Sequence, residues 1–364
     1  MAFLPLHIDV PFSKDFLFEV LLPPLIFEAA LYIDWHELRR DLLVVGTYAT
    51  VGVVLSAAVT AAIMHFVLGW PWAAAALFGV LIAATDPVAV IAMFKDTGVT
   101  GRLRLLVESE SLLNDGVAAV LFASVLGVAR ATSESASLTQ ALQALAVTAG
   151  GGTLVGLVVG GVCILIAGRT TDRLVETGLT VIAAYGAFLA GEYLHVSGVL
   201  ATVAAGLLMG NVGVLNVRKQ NRLALDAPDF VVGFWDFAAF IANSLIFLLM
   251  GVTIAAIPFA SLGAATLALI VGLVLLGRVL SVYPLCLIFA RSHWEVPIRE
   301  QHVLFWAGLR GALGLALALA LPPDLAMRNE IVVATFGAVA FSVLVQGLTM
   351  APFMKFVGVL SDRR

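Results

Sequence analysis

Two aspartates lie in stretches that are otherwise long and apolar enough to enter a lipid bilayer. Asp86 lies in LIAATDPVAVIAMF, and Asp115 lies in ESLLNDGVAAVLF. An ionised carboxylate surrounded by hydrocarbon costs ~3 kcal/mol or more unless it faces water, a partner or a cation. Two such groups so close in sequence therefore indicate a site where a cation and a proton compete for the same carboxylates.

The first aspartate stands beside a predicted break in a helix. In Thr85-Asp86-Pro87, the proline removes a backbone donor, clashes with the carbonyl four residues earlier and biases the preceding residue away from helical geometry. Such a break frees carbonyls beside a carboxylate, and oxygen-rich sites of this kind suit hard cations. A simple proline kink, with Asp86 as the N-cap of the second half-helix, explains the same residues. This segment alone leaves both interpretations open.

The second aspartate belongs to a polar helical turn. In ESLLNDG, Ser111 and Asp115 are four residues apart and share one helix face, while Glu110 and Asn114 share the neighbouring face. A helix start would explain the polar residues at 108–110. It does not explain Asn114 and Asp115, because a further membrane segment follows them. The pattern therefore favours a functional role for this turn.

Other ionisable residues in apolar stretches need partners. Arg310, in FWAGLRGALGLALAL, is flanked by glycines that indicate close packing or a second helix break. A buried arginine requires a carboxylate, and we expect Glu110 to form a structural ion pair with it. Arg278 is a secondary candidate, although it could also snorkel to the inner face. Glu28, in LLPPLIFEAALYI, could be an interfacial residue or a third carboxylate near the ion.

The composition excludes a water-soluble globule. The chain has 364 residues, of which 61% are hydrophobic and 12% charged, whereas soluble chains carry about 25% charged residues. The net charge of −4 and the lack of a basic tail make nucleic acid an unexpected partner. The two cysteines lie in apolar runs, and we assign them neither a disulfide nor a metal.

We predict an all-α polytopic membrane protein with about 11 transmembrane helices. The predicted spans cover residues 15–33, 42–68, 72–94, 110–130, 138–167, 174–193, 197–215, 230–256, 261–290, 301–321 and 329–357. Of the 20 Lys and Arg residues, 15 lie in loops on one side or at the C-terminus, Lys14, Arg130 and Arg328 lie on the other side, and Arg278 and Arg310 lie inside spans. Because cytoplasmic loops collect Lys and Arg, the C-terminus should be cytoplasmic and the N-terminus of this chain outside.

Five sequence blocks resemble a known family when they are taken in order. They are LLPPLIFEAAL, TDPVAV, ESLLNDG, GLRGAL and SVLVQGLT. Together they resemble the monovalent cation:proton antiporter-1 family, which holds the NhaP-type antiporters and the eukaryotic sodium/proton exchangers. The resemblance runs almost end to end, and the pair TDPVAV and ESLLNDG is its most specific part.

The resemblance implies a fold of inverted repeats in which two broken helices cross at TDPVAV and GLRGAL. It implies a single membrane domain with a core (transport) part at about 72–167 and 261–357. The scaffold or dimerisation part would lie at about 15–68 and 174–256, and the assembly would be a homodimer. The predicted spans begin where the third helix of the family would be, so we expect the first two family helices to be lacking.

The resemblance also implies the site. Sodium would be bound by Asp115, Asp86, Ser111 and the backbone carbonyl of Thr85, with Glu28 nearby. The Asn114-Asp115 pair matches the pair found in the electroneutral members. Glu110 and Arg310 match an ion pair that braces the core of the family.

The predicted function is secondary active antiport, in which a monovalent cation is exchanged for a proton by alternating access in the plasma or inner cell membrane. Sodium is the expected cation, and lithium or potassium would be coordinated by the same oxygens. We expect a transporter rather than an enzyme, with no catalytic residues and no cofactor besides the transported ions. A cation channel and a proton-coupled solute symporter are the alternatives; an intramembrane aspartyl protease would also need two membrane aspartates.

Overall fold

The described part of the chain is almost entirely helical. The computed structural model describes residues 16–86, 88–130, 138–214, 225–256 and 262–360, and this part contains helices and no strands. The α-helices are α1 Leu22–Leu31, α2 Trp35–Thr47, α3 Val53–Leu68, α4 Trp72–Leu81, α5 Val88–Thr97, α6 Arg102–Arg130, α7 Leu138–Ala167, α8 Arg173–Tyr193, α9 Gly198–Met209, α10 Pro228–Ala256, α11 Ala264–Phe289, α12 Ile298–Trp306, α13 Ala312–Leu319, α14 Arg328–Phe341 and α15 Leu348–Val357. Single π-helical segments occur at Phe16–Leu21, Tyr48–Gly52, Gly210–Val214 and Ser342–Gly347.

Seven helical segments in the described part are long and apolar enough to cross a membrane. They are Trp35–Leu68, Arg102–Arg130, Ala146–Ala167, Arg173–Tyr193, Pro228–Leu249, Ala264–Phe289 and Arg328–Val357. The apolar helices Trp72–Leu81 and Gly198–Val214 are shorter. Each of the 11 predicted spans overlaps helix, but only some reach spanning length in one piece. The number of spans therefore stays a prediction, while the all-α polytopic architecture is confirmed.

Two predicted spans are each divided into a pair of helices. The span at 72–94 is divided between α4 and α5, with irregular backbone between them. The span at 301–321 is divided between α12, which ends at Trp306, and α13, which begins at Ala312. The sequence indicated an interruption at the first place from a proline and close packing or a break at the second from glycines. The family resemblance implied that both helices are broken. Pro87 itself lies outside the described residues.

The chain forms two compact units. The first comprises Met1–Leu38 and Ser133–Ala256. In it, glycines spaced four apart on α7 lie against the backbone of α9 near Ser197 and Ala201, where a Cβ atom would overlap the carbonyls. Small residues at this spacing let helix backbones approach closely, which is how membrane helices pack without a hydrophobic drive. Phe27 and Trp235 fill the core of this unit with ring centroids 4.6 Å apart.

The second unit comprises Arg39–Thr132 and Ile257–Arg364 and carries both broken helices. Gly79 of α4 lies against the carbonyl of Ala57 on α3. Gly277 of α11 lies against Thr60, which is also on α3. These close approaches place α3 between α4 and α11. These units are defined by packing alone, and the predicted division into a core part and a scaffold part stays a prediction. Which parts move during transport stays a prediction.

Candidate cation site

The two helix breaks meet inside the second unit. The backbone N–H of Asp86, in the first break, donates to the carbonyl of Leu309 in the second at 2.8 Å. The backbone N–H of Ala312, the first residue of α13, lies 3.5 Å from Oδ2 of Asp86. Gly311 makes this approach possible, since a Cβ atom there would occupy the space of the Asp86 side chain. The crossing of two broken helices, predicted from sequence, is therefore present.

Helix α6 presents its polar turn to the first break. Ser111 Oγ donates to the carbonyl of Thr85 at 2.6 Å and lies 3.1 Å from the Thr85 hydroxyl. Asn114 Nδ2 donates to the carbonyl of Ala83 and to Thr85 Oγ1, both at 3.1 Å. Ser111 and Asn114 are almost completely buried. The polar turn ESLLNDG thus directs the side chains of Ser111 and Asn114 into the first break.

Arg310 satisfies the remaining freed backbone carbonyls. Its Nη1 donates to the carbonyls of Ala83 at 2.9 Å and Ala84 at 3.2 Å. Irregular backbone at membrane depth is tolerated only where such groups find partners. With Ser111 on the carbonyl of Thr85, each of the three carbonyls from 83 to 85 accepts a side-chain hydrogen bond. The break is therefore held in one geometry by α6 and by the second break.

The two aspartates are brought together at this crossing. Asp115 lies within electrostatic range of Asp86 and of Glu110. Oδ1 of Asp115 and Oδ1 of Asn114 are buried and have no hydrogen-bond donor among the described residues. Carboxylate, carbonyl and hydroxyl oxygens are the ligands that hard cations prefer. That Asp115, Asp86, Ser111 and Thr85 bind a monovalent cation together stays a prediction.

The predicted ion pair between Glu110 and Arg310 is wrong in its partner. Glu110 pairs with Arg278, whose Nη1 lies 2.9 Å from Oε1 and whose Nη2 lies 3.2 Å from Oε2. Arg310 lies within electrostatic range of Glu110 but directs its guanidinium to backbone carbonyls. The reason is its position in the break, which faces the freed carbonyls, whereas Arg278 on the continuous α11 faces Glu110.

Arg278 is accordingly a buried structural residue. Only 6% of its surface is exposed, and Nη2 also donates to the carbonyl of Leu304 on α12 at 3.1 Å. The alternative, in which Arg278 snorkels to the inner face, does not agree with this burial. A carboxylate and a guanidinium joined by two hydrogen bonds satisfy each other in a way that a single contact does not.

Glu28 is partly buried on α1, in the first unit. Within that unit it lies in electrostatic range of Tyr32, whose hydroxyl donates to Asp236 at 2.6 Å. Its predicted role as a third carboxylate near the ion stays a prediction.

Sequence reasoning assigned no role to one residue of the site. Ser342, the first residue of the π-helical segment Ser342–Gly347, accepts a hydrogen bond from the backbone N–H of Arg310 at 2.7 Å. The signal was present, because Ser342 begins the block SVLVQGLT. Its partner, however, is a backbone group 32 positions away, and no spacing rule identifies such a contact.

Comparisons with known proteins agree with this architecture. The family described as "Sodium/hydrogen exchanger, transmembrane" matches residues 2–356. The Na⁺/H⁺ antiporter ApNhaP of Aphanothece halophytica is 39% identical over 365 residues, covering 100% of this chain and 68% of the relative. The low-affinity Na⁺/H⁺ antiporter NhaS1 of Synechocystis is 36% identical, covering 96% of this chain and 66% of the relative. The chain thus spans about two thirds of the length of these curated relatives.

A solved structure shares the fold. The sodium proton antiporter MjNhaP1 of Methanocaldococcus jannaschii, solved at pH 8, aligns with a TM-score of 0.75 and 21% sequence identity. The alignment covers 95% of this chain and 88% of that chain.

Proposed function

This chain belongs to the transmembrane sodium/hydrogen exchanger family, and from that premise we propose that it exchanges a monovalent cation, sodium above all, for a proton. It is a multi-pass membrane protein. The observation that carries the proposal is that Asp115 lies within electrostatic range of Asp86, beside a crossing of two helix breaks lined by buried oxygens.

The chemistry of the site supports competition between the two ions. Buried carboxylates are costly as bare anions, so one bound cation or one bound proton stabilises the pair. Both ions need the oxygens of the same two aspartates, and binding of one therefore disfavours binding of the other. In alternating access, the site faces one side of the membrane at a time. An unloaded site keeps an uncompensated charge, which opposes its passage across the hydrophobic barrier.

The count of buried charges supports exchange of one cation for one proton. Arg278 and Arg310 carry two positive charges, while Glu110, Asp86 and Asp115 carry three negative charges when ionised. Electrostatic interactions connect Arg310 to Arg278 and Glu110, and Asp115 to Asp86 and Glu110. One sodium ion or one proton makes these five described side chains neutral in sum. Because the loaded cluster has the same charge in both directions, the cycle is electroneutral.

The decisive experiment removes one ligand charge. Asp115→Asn keeps the size of the side chain but cannot exchange a proton for a cation. We expect it to abolish sodium-dependent proton flux in proteoliposomes that hold the purified protein. Asp172→Asn is the matched control, because Asp172 is an exposed N-cap of α8 and asparagine caps equally well. Full flux in Asp115→Asn would refute the proposal.

The same vesicles discriminate against the alternatives. An antiporter produces saturable proton movement in response to sodium, lithium or potassium on the opposite side, and the three ions compared at several pH values define its range. A channel passes the cation without obligatory proton movement. A symporter needs an organic solute before either ion moves.

Two finer points belong to the same proposal. The distribution of Lys and Arg supports a cytoplasmic C-terminus and an external N-terminus of this chain in the plasma or inner membrane. Labelling of single cysteines in the loops from each side of the membrane tests this orientation. We also expect a homodimer, which the mass of the detergent-solubilised protein measures.

A further inference from the structure

We infer that Gln346 and Ser342 are positioning residues that set the cation affinity of the site by fixing the second helix break. The inference rests on the proposed function. Gln346 Nε2 donates to the carbonyl of Trp306, the last residue of α12, at 3.3 Å. Ser342 Oγ accepts from the backbone N–H of Arg310 at 2.7 Å and donates to Gln346 Oε1 at 2.8 Å. One hydrogen-bonded pair of side chains thus contacts the break at both of its ends, at Trp306 and at Arg310.

These contacts give hydrogen-bond partners to backbone groups that the break would otherwise leave without one. Neither Trp306 nor Arg310 has a continuous helix on both sides, because α12 ends at the former and α13 begins after the latter. Ser342 is fully buried and Gln346 is 2% exposed. For backbone groups buried this deeply, the loss of a hydrogen-bond partner is costly. The two side chains therefore stabilise the backbone geometry of the break.

The backbone of the carrying helix is itself unusual. Ser342 and Gln346 both lie in the π-helical segment Ser342–Gly347, between α14 and α15. A π-helical turn inserts an extra residue and redirects side chains, and such turns concentrate at functional sites. Here the segment places a hydroxyl and an amide four residues apart so that they bond to each other and to the break.

The break transmits their position to the ion ligands. Leu309 accepts from the backbone N–H of Asp86, and the Arg310 side chain donates to the carbonyls of Ala83 and Ala84. A displacement of residues 306–310 would therefore displace Thr85 and Asp86, which belong to the predicted ligand set. Groups that orient metal ligands in this way typically change affinity or activity about 10- to 100-fold when they are lost.

The functional test compares three variants of the full chain in proteoliposomes. Gln346→Met keeps the length of the side chain but removes both hydrogen bonds, and Ser342→Ala removes the hydroxyl. We expect each to raise the KM for sodium about tenfold while the maximal rate stays within about twofold. Thr349→Val is the control, since Thr349 also contacts α12, but through the Trp306 indole rather than the break. It should keep the wild-type KM.

A second measurement reports on the break itself. The Ser342→Ala variant should speed hydrogen exchange at the amide of Arg310, and Gln346→Met should speed it across 307–312, whereas Thr349→Val should not. If Gln346→Met does not fold, Gln346→Asn, which is one methylene shorter, replaces it. A wild-type sodium KM in the glutamine variant, or unchanged exchange at Arg310 in the serine variant, overturns the inference. If the wild type shows no sodium-dependent flux, the proposed function fails, and the exchange data still decide whether these residues hold the break.

Discussion

Two buried arginines of the second unit have different tasks. Arg278 neutralises Glu110 through two hydrogen bonds. Arg310 instead caps carbonyls that a helix break has freed. A buried pair loses far more when one partner is removed than when both are replaced, because the remaining charge is left without compensation. The pairing is therefore measurable as a coupling between substitutions.

We expect Glu110→Gln and Arg278→Met to be strongly coupled in a double-mutant cycle of thermal stability. Each single substitution should destabilise the protein by about 3–5 kcal/mol, and the double variant should recover about 2 kcal/mol of the summed loss. The companion cycle of Glu110→Gln with Arg310→Met should show weaker coupling, because no ion pair joins those residues. Stronger coupling of Glu110 to Arg310 than to Arg278 would contradict the structure.

The sequence predicted which residues lie near the break better than it predicted the contacts between their side chains. The spacing of Ser111 and Asp115 placed both on one helix face, and the structure directs that face into the first break. The partner of Glu110 was not predictable in the same way. Arg278 and Arg310 are both single cations in apolar segments, and only the folded structure shows that Arg278 on α11 is the one that reaches Glu110 on α6.

Helix breaks carry a requirement of their own, which is space where they cross. The Asp86 side chain lies where a Cβ atom at position 311 would be. Glycine is needed there for close approach rather than for backbone conformation, since its φ of −138° suits other residues. A methyl group would push Asp86 away from Ala312 and from the rest of the ligand set.

We therefore expect Gly311→Ala to lower sodium-dependent proton flux about tenfold or more, as loss of ligand placement typically does. Gly127→Ala is the matched control, because a Cβ atom at that position of α6 has open space around it. Flux and the KM for sodium are measured for both variants in proteoliposomes. A Gly311→Ala protein with wild-type values would show that Asp86 does not depend on this approach.

The existence of both breaks was readable from the sequence, and their hydrogen bonds were not. A proline after Asp86 and glycines around Arg310 are local signals of interrupted helix. The bond from Asp86 to Leu309 joins positions far apart in the chain. Neither periodicity nor composition reports the depth and angle at which two such segments cross. The same holds for Ser342, whose partner is a backbone group in the second helix break.

The division of the chain into units also depends on packing that apolar spans do not encode. Every span carries an apolar surface, so hydropathy alone does not say which neighbour it meets. Small residues decide this locally: Gly79 and Gly277 bring α3 against α4 and α11. Such contacts place α3 in the compact unit that carries the breaks.

Net charge movement is the property of the whole cycle that the buried charges determine. One cation or one proton neutralises the cluster of two arginines and three carboxylates, so the loaded site carries no net charge in either direction. A transmembrane potential acts on moved charge at about 2.3 kcal/mol per elementary charge per 100 mV. We therefore expect the exchange rate to stay unchanged when potassium and valinomycin set the membrane potential of the vesicles to different values. A rate that changes several-fold over 100 mV would require a stoichiometry other than one for one, and it would show that a further charge accompanies the cluster.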